Sequence, residues 1–126
     1  MCVNLEQLKL TEVNLKVKIS IADENNRGFF GIGIIWLLEE IKKTGSIKKA
    51  ASNMKMSYSK AHKILTRVED KTGKKLLKKT RGGIERGGSE LTEYSKKLIE
   101  KYKIFQKEII EFANQKFEED IKELFK

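Results

Sequence analysis

The sequence predicts a mainly α-helical fold with a small amount of β-structure. Consecutive stretches in the middle of the chain have apolar residues at helical spacings of three and four, and glycine and serine separate them. A segment of alternating residues before these helices, and a glycine-rich segment after them, are typical of short β-hairpins. The chain beyond Gly88 contains no glycine or proline, which predicts one long C-terminal helix.

The composition limits the classes of protein to consider. A chain of 126 residues with 39% hydrophobic and 36% charged residues is long enough to bury a core and is typical of a globular protein. Its longest apolar stretch, residues 29–38, is too short for a bilayer span and is not placed like a signal peptide. We therefore expect a cytoplasmic protein with no membrane partner. Cys2 and His62 are the single cysteine and histidine, so no metal or other cofactor is expected.

Positive charge is concentrated in the middle of the chain. Residues 42–86 contain 15 of the 27 Lys and Arg residues but 3 of the 18 acidic residues. This clustering favours a polyanionic partner. A membrane surface would require a basic helix with an apolar face to spare, which this segment lacks. A solvated lysine-rich surface is the remaining alternative, and the clustering favours nucleic acid over it.

The first elements are a hairpin and a helix. Residues 15–21 alternate apolar and polar side chains, which is the period of a half-buried strand. A turn-rich loop over residues 23–28 leads to a short partner strand at residues 29–30, so the hairpin occupies residues 15–30. Apolar residues at helical spacing then predict a helix from about residue 34 to 44.

Two further helices follow across tight turns. Gly45 suits the left-handed position that ends a helix, and Ser46 is a natural N-cap for a short helix over about residues 47–55. Ser57 is a second N-cap, which predicts a longer helix over residues 58–72. These two helices have the order and lengths of a helix–turn–helix, in which the second helix enters the major groove of DNA.

The longer helix has one apolar and one polar face. Ala61, Leu65 and Val68 recur at spacings of four and three and predict the inner face. A polar face opposite them is also typical of an ordinary solvated helix, so the spacing alone leaves both interpretations open. The outer face carries Ser59, Lys60, Lys63 and Arg67.

A basic, glycine-rich hairpin after the helices favours the DNA interpretation. Residues 75–81 and 89–91 are predicted strands, and the glycines between them allow close approach to a sugar-phosphate backbone. The spacing of a nucleotide-binding phosphate loop is absent. We name residues 78–90 the wing; its basic residues are Lys78, Lys79, Arg81 and Arg86. The predicted architecture is a winged helix–turn–helix with an N-terminal β-hairpin.

These residues resemble a known family of regulators. The motifs are Gly45-Ser46-Ile47-x-x-Ala50-Ala51-x-x-x-x-Met56-Ser57-Tyr58-Ser59-x-Ala61, the wing motif Arg81-Gly82-Gly83 followed by Gly87-Gly88-Ser89-x-Leu91-Thr92-x-Tyr94, and Phe30-Gly31-x-Gly33. They resemble the N-terminal DNA-binding domain of molybdate-responsive (ModE-type) regulators and, more distantly, the LysR-type domain, over about residues 15–112. The resemblance implies a homodimeric bacterial or archaeal transcription factor that binds an inverted repeat.

The sequence departs from that family in two places. It ends at Lys126, so we expect the molybdate-binding domains to be absent and do not carry molybdate sensing over. His62 stands where the family often has an aromatic residue, and without partners it is interpreted as a packed or rim residue rather than a ligand or base.

The long C-terminal helix carries an apolar stripe that predicts dimerisation. Its steps of four and three residues, with balanced charge around them, suit a helix that packs against a second copy rather than DNA. The alternative is an intramolecular contact with Trp36, Leu37 and the first strand, and we expect some of both. The stripe consists of Leu98, Tyr102, Phe105, Ile109 and Phe112.

The sequence thus predicts a DNA-binding domain over residues 1–91 and a dimerisation helix over residues 92–126. The partners are double-stranded DNA and a second copy, and no paired carboxylates, activated nucleophile or metal cluster suggests an enzyme. A small architectural or adaptor DNA-binding protein with little sequence specificity is the alternative. The predicted DNA-binding residues are Ser46, Ser57, Tyr58, Ser59, Lys60, Lys63, Arg67, Lys78, Lys79, Arg81 and Arg86.

Overall fold

The computed structural model of the chain describes residues 12–80 and 88–125, which form two compact units. One unit is Ile19–Tyr102, and the other consists of residues 12–18 and 103–125. The mainly α-helical fold with small β-structure is as predicted. In chain order the elements are β1 (Ser20–Ala22), β2 (Gly28–Gly31), α1 (Ile32–Thr44), α2 (Ile47–Asn53), α3 (Tyr58–Thr72), β3 (Leu77–Lys79), β4 (Ser89–Leu91), α4 (Glu93–Asp120) and a 3₁₀ turn (Lys122–Phe125).

The N-terminal hairpin forms, but its first strand is shorter than predicted. β1 pairs antiparallel with β2, with Ile21 opposite Phe30. Residues 15–19, the rest of the predicted strand, pair with no described strand. The reason is that β2 ends at Gly31, where the chain turns into α1, so no partner strand extends alongside them.

The predicted caps set the helix boundaries in the centre of the fold. Gly45 adopts φ 73°, and its N–H donates to the carbonyl of Ile41, which ends α1. Ser46 and Ser57 begin α2 and α3 as N-caps. α2 ends at Asn53, earlier than predicted, because Lys55 adopts a left-handed φ of 58° in the turn to α3.

The core lies between α1, α2 and α3. α1 buries Ile35, Leu38 and Ile41 completely. α2 meets α3 through small side chains, since Ala50 and Ala61 are both fully buried and allow the two helices to approach closely. This packing fixes the rotation of α3 about its axis and therefore determines which of its side chains face outward.

The wing strands are anchored to the helices through backbone groups. β3 and β4 pair antiparallel, with Leu77 opposite Leu91. The N–H of Ser89 donates to the carbonyl of Gly45 (2.8 Å), which ties β4 to the end of α1. The buried Ser95 hydroxyl donates to the carbonyl of Leu76 (2.6 Å). Arg81 and Arg86, predicted to contact DNA, lie outside the described residues.

The last helix begins as predicted and stops before the C-terminus. The Thr92 hydroxyl caps α4 by accepting the N–H of Ser95 (3.2 Å). α4 ends at Asp120, and a 3₁₀ turn follows it. Across residues 12–80 and 88–125, no helix is both long enough and apolar enough to cross a membrane.

Candidate nucleic-acid interface

The outer face of α3 is set by the residues that this helix buries. Ala61, Leu65 and Val68 are 0%, 4% and 0% exposed and fill the core as predicted. With 3.6 residues per turn, the side opposite them is centred on Ser59 and Lys63, both of which are exposed. Because the core fixes the inner face, the helix cannot rotate these two side chains away from a surface that docks against it.

The free positive charge of α3 lies in its first half. Lys60 and Lys63 form no ion pair within the part of the chain that the structure describes. Arg67 and Lys71, further along the helix, both pair with Asp23 at 3.7 and 3.4 Å. The first two turns of α3 therefore hold the cations that are available for an outside anion.

Asp23 contributes to this surface although no sequence motif singles it out. Its side chain is 5% exposed although it lies in the β1–β2 turn. The backbone N–H of Arg27 lowers the pKa of Asp23, opposed by burial and supported by the N–H of Asn25 and by Lys71. The charged carboxylate thus connects the hairpin to the second half of α3 through ion pairs. It also partly neutralises the positive charge of Arg67.

Tyr58 and His62 form a stacked aromatic pair on one flank of α3. Their ring centroids lie 5.8 Å apart with an angle of 28° between the planes, and both residues are exposed. The stack presents the phenol hydroxyl and the imidazole at the start of the helix, both of which can form hydrogen bonds. His62 was expected as a packed or rim residue; its i, i+4 spacing from Tyr58 was the signal for this pair.

A groove of about 720 Å³ separates this flank of α3 from the wing. Its lining mixes polar, aromatic and basic side chains, which suits contact with a sugar-phosphate backbone. The groove brings together residues from the start of α2, from α3 and from β3, and thus joins three segments that are separate in the sequence. Among its lining residues are Ser46, Tyr58, His62, Thr66, Lys75, Lys78 and Lys79.

The two described wing lysines differ in their surroundings. Lys78 pairs with Glu90 across the β3–β4 ladder at 3.2 Å, and both side chains are about half exposed. Lys79 is exposed and has no ion pair in the described ranges. Exposed ion pairs of this kind are weak, so Lys78 can leave Glu90 and pair with a phosphate instead. Lys79 carries a positive charge that no described acidic side chain neutralises.

The two capping serines already use their hydroxyl oxygens. Ser46 accepts the N–H of Lys49, and Ser57 accepts the N–H of Lys60, each at 3.1 Å. Ser57 is exposed and Ser46 is half-buried. Each hydroxyl hydrogen can still be donated outward, so capping and a contact with an anion are compatible.

The predicted apolar stripe on α4 is divided between two environments. Tyr102 is 3% exposed, packs edge-on against Phe30 at 5.2 Å, and donates its hydroxyl to the carbonyl of Ile19. Leu98 is half-buried and packs against the same core. The intramolecular alternative thus accounts for these two residues. Further along, Phe105, Ile109 and Phe112 are 47%, 40% and 62% exposed.

Comparisons with known proteins give the class of domain that this geometry represents. Residues 35–95 match the family model of bacterial regulatory helix-turn-helix proteins of the lysR family. The transcriptional regulator ModE of Haemophilus influenzae is 33% identical over 100 residues, which cover 79% of this chain and 37% of that protein. The molybdenum transport protein ModE of Azotobacter vinelandii is 31% identical over 72 residues, covering 57% of this chain and 27% of that protein. The crystal structure of the CbnR_DBD–DNA complex aligns with a TM-score of 0.49 and 18% identity, covering 71% of this chain and 93% of that one.

The chain therefore carries a winged helix–turn–helix DNA-binding domain of the type found in transcriptional regulators. More narrowly, residues 35–95 are similar to the lysR-family helix–turn–helix, and the chain is similar in sequence to two ModE proteins. The resemblance seen in the sequence is thus confirmed. The Haemophilus influenzae relative is named a transcriptional regulator and not an enzyme, in agreement with the sequence. The chain spans 37% and 27% of the two ModE proteins that it matches.

Proposed function

We propose that the chain binds specific double-stranded DNA as a homodimer and regulates transcription. The observation that carries the proposal is the outer face of α3, where Ser59 and Lys63 are exposed and the lysine has no ion pair within the described residues. A helix with its side chains is about 10–12 Å across, which matches the major groove width of about 12 Å. α3 would therefore lie in the groove and contact base edges.

The wing would hold the DNA backbone while α3 contacts the bases. Tyr58, His62 and Lys79 lie along the groove between α3 and β3, where a phosphate strand would run if α3 entered the major groove. Contacts to phosphate fix register and add affinity without sequence information. Arg67, held by Asp23, would meet the backbone rather than a base.

The exposed half of the α4 stripe supports homodimerisation. Ile109 and Phe112 are large, apolar and exposed at three-residue spacing on one face. A two-fold pair of such helices would bury them and would present two recognition helices to two half-sites. Half-sites of an inverted repeat lie about 34–36 Å apart, or multiples of this distance, in helix–turn–helix complexes.

The test compares specific with non-specific binding. Bound sites are first selected from a random DNA pool, and the selected duplex and a scrambled duplex are titrated at one salt concentration. Lys63→Ala should weaken binding to the selected duplex by roughly 5- to 150-fold, which corresponds to about 1–3 kcal/mol for a base contact, and should change scrambled binding far less.

Lys79→Ala is the matched control, since it removes an exposed lysine from the wing. It should weaken binding to both duplexes by a similar factor and reduce the slope of log K against log salt by about 1. If Lys63→Ala lowers both affinities equally, α3 does not recognise sequence through this residue. If the unmutated protein prefers no duplex, it is the architectural DNA-binding protein instead.

A further inference from the structure

Residues 12–18 belong to no helix and to no paired strand among the described residues. Val13, Leu15 and Val17 are half-buried, whereas the residues between them are exposed, which is the period-two pattern of a strand with one covered face. No hydrogen bond between described residues involves the backbone of this segment. Within residues 12–80 and 88–125, its N–H and C=O groups therefore have no backbone partner.

Open strand edges with one apolar face are templates for another strand. Backbone groups that are partly shielded from water are stabilised when they are paired, and a strand added at the edge supplies the pairs. The alternating half-burial would be preserved, because a paired strand keeps its side chains on the same two faces.

The segment is complementary to itself in the antiparallel direction. A two-fold axis through Leu15 places Val13 opposite Val17 and Glu12 opposite Lys18. Residues that are directly opposite each other share a face, so the apolar pairs meet on the half-buried side and the opposite charges meet on the exposed side. By symmetry the Val13–Val17 pair and the Glu12–Lys18 pair each occur twice, and Leu15 meets its own counterpart once.

Other registers fit less well. A shift by one residue would set half-buried side chains opposite exposed ones. An axis through Lys16 places two lysines directly opposite each other, which is unfavourable. An axis through Asn14 pairs Glu12 with Lys16 but sets Val17 opposite Thr11 and the charged Lys18 opposite the apolar Leu10.

We propose that residues 12–18 pair with the same residues of a second copy, antiparallel and centred on Leu15. This contact rests on the proposed homodimer and specifies a surface of it that is separate from the α4 stripe. The partner is a second copy of this chain, and the ladder joins the two protomers through backbone hydrogen bonds.

Disulfide trapping tests the register. In a Cys2→Ser background, Leu15→Cys places each cysteine opposite its own counterpart at a Cα separation of about 4.5–5.5 Å, which a disulfide spans. In the matched control, Lys16→Cys, the counterparts lie two residues apart along the ladder, about 8 Å from each other. Mild oxidation should link Leu15→Cys into a covalent dimer at least tenfold faster than Lys16→Cys.

Exchanging the charges of Glu12 and Lys18 tests the same register. Both side chains are exposed, so the substitutions leave the core of the fold unchanged. Glu12→Lys should raise the dimer dissociation constant on the order of tenfold, because it sets like charges opposite each other twice. Adding Lys18→Glu should restore the constant to near its original value. Adding Lys16→Glu instead should not, since residue 16 faces Asn14. Sedimentation equilibrium measures each constant.

The outcomes separate this inference from the proposed function. A protein that is dimeric and prefers its selected duplex, but shows no selective link at residue 15 and no rescue by Lys18→Glu, would overturn the strand pairing alone. Rescue by Lys16→Glu would overturn the register. A monomeric protein would overturn both the strand pairing and the homodimer. Absence of a preferred duplex, together with selective linking, would overturn sequence recognition and leave the strand pairing supported.

Discussion

Asp23 shows how one side chain connects the hairpin to α3. Its carboxylate accepts backbone N–H groups of its own turn and pairs with Arg67 and Lys71 on α3. These donors favour the charged form, and the pKa of Asp23 is correspondingly below the ordinary aspartate value of about 3.9. The residue thus stabilises the turn and sets the charge of the second half of α3.

Asp23→Asn should lower stability at neutral pH and matter less in acid. Because the folded-state pKa is depressed, the stabilisation by the carboxylate is fully present above the unfolded pKa of about 3.9 and is lost as pH falls through the lower folded value. Asparagine keeps an oxygen for the turn N–H groups but loses the ion pairs. Urea unfolding at pH 7 and at pH 3 measures the free energy of unfolding. The difference in this free energy between the variant and the unmutated protein should be smaller at pH 3.

Glu24→Gln is the control for this experiment. Glu24 also pairs with Lys71, at 3.8 Å, but its side chain is 77% exposed. Exposed pairs contribute little, so this variant should unfold at nearly the same urea concentration as the unmutated protein at both pH values. If the loss of unfolding free energy in Asp23→Asn is the same at both pH values, the carboxylate charge is not what stabilises the turn.

Two serines at the start of α3, the N-cap Ser57 and the outward-facing Ser59, should differ in their effect on folding stability. Ser57 caps the helix by accepting the N–H of Lys60, whereas Ser59 is exposed and has no side-chain hydrogen bond within the described residues. Ser57→Ala should cost about 0.5–2 kcal/mol of folding stability, which is typical of a lost N-cap. Ser59→Ala should change stability by less than about 0.5 kcal/mol, as surface substitutions usually do.

The Ser57→Ala and Ser59→Ala variants should also differ in DNA binding, where the larger effect is expected at Ser59. At a temperature where both variants are folded, Ser59→Ala should weaken binding to the selected duplex while leaving the scrambled duplex nearly unaffected, since it removes a side chain from the outer face of α3. Thermal unfolding and duplex titration of both variants measure the two effects. Equal loss of stability in both variants would contradict the capping assignment.

The element boundaries follow from local chemistry. Gly45 and Ser57 set the end of α1 and the start of α3 where the sequence predicts them, because caps satisfy backbone groups within a few residues. β1 is shorter than the predicted strand. Side-chain burial alternates over residues 15–19 as the sequence predicts, but a strand requires a second strand for its hydrogen bonds. The chain turns into α1 before it provides one.

For the whole molecule, the exposed α4 stripe predicts the state of association. We expect a dimer at micromolar concentration, and Ile109→Glu with Phe112→Glu should convert it to a monomer because four charges would be buried across a two-fold interface. Lys107→Glu is the control; its side chain is 77% exposed, and it changes the net charge of each copy by the same amount. Light scattering measures the mass, and a monomeric unmutated protein would contradict the prediction.

The sequence by itself determined the order of elements, their caps and the inner face of α3. These are local properties: helical and strand periods, glycine after a helix and serine before one are all encoded within a few residues. It also determined the family resemblance and the outward position of Lys63. Each of these depends on neighbours in the chain, which is why the sequence was sufficient.

Only the tertiary structure decided which of the predicted residues are already engaged. Tyr102 belongs to the core because Phe30 and the carbonyl of Ile19 meet it from 72 or more residues away. Arg67 is held by Asp23 from a different element, which no spacing rule predicts. Side chains on one helical stripe look equivalent in the sequence, but the elements that pack beside them bury some and leave others available to DNA or to a second copy.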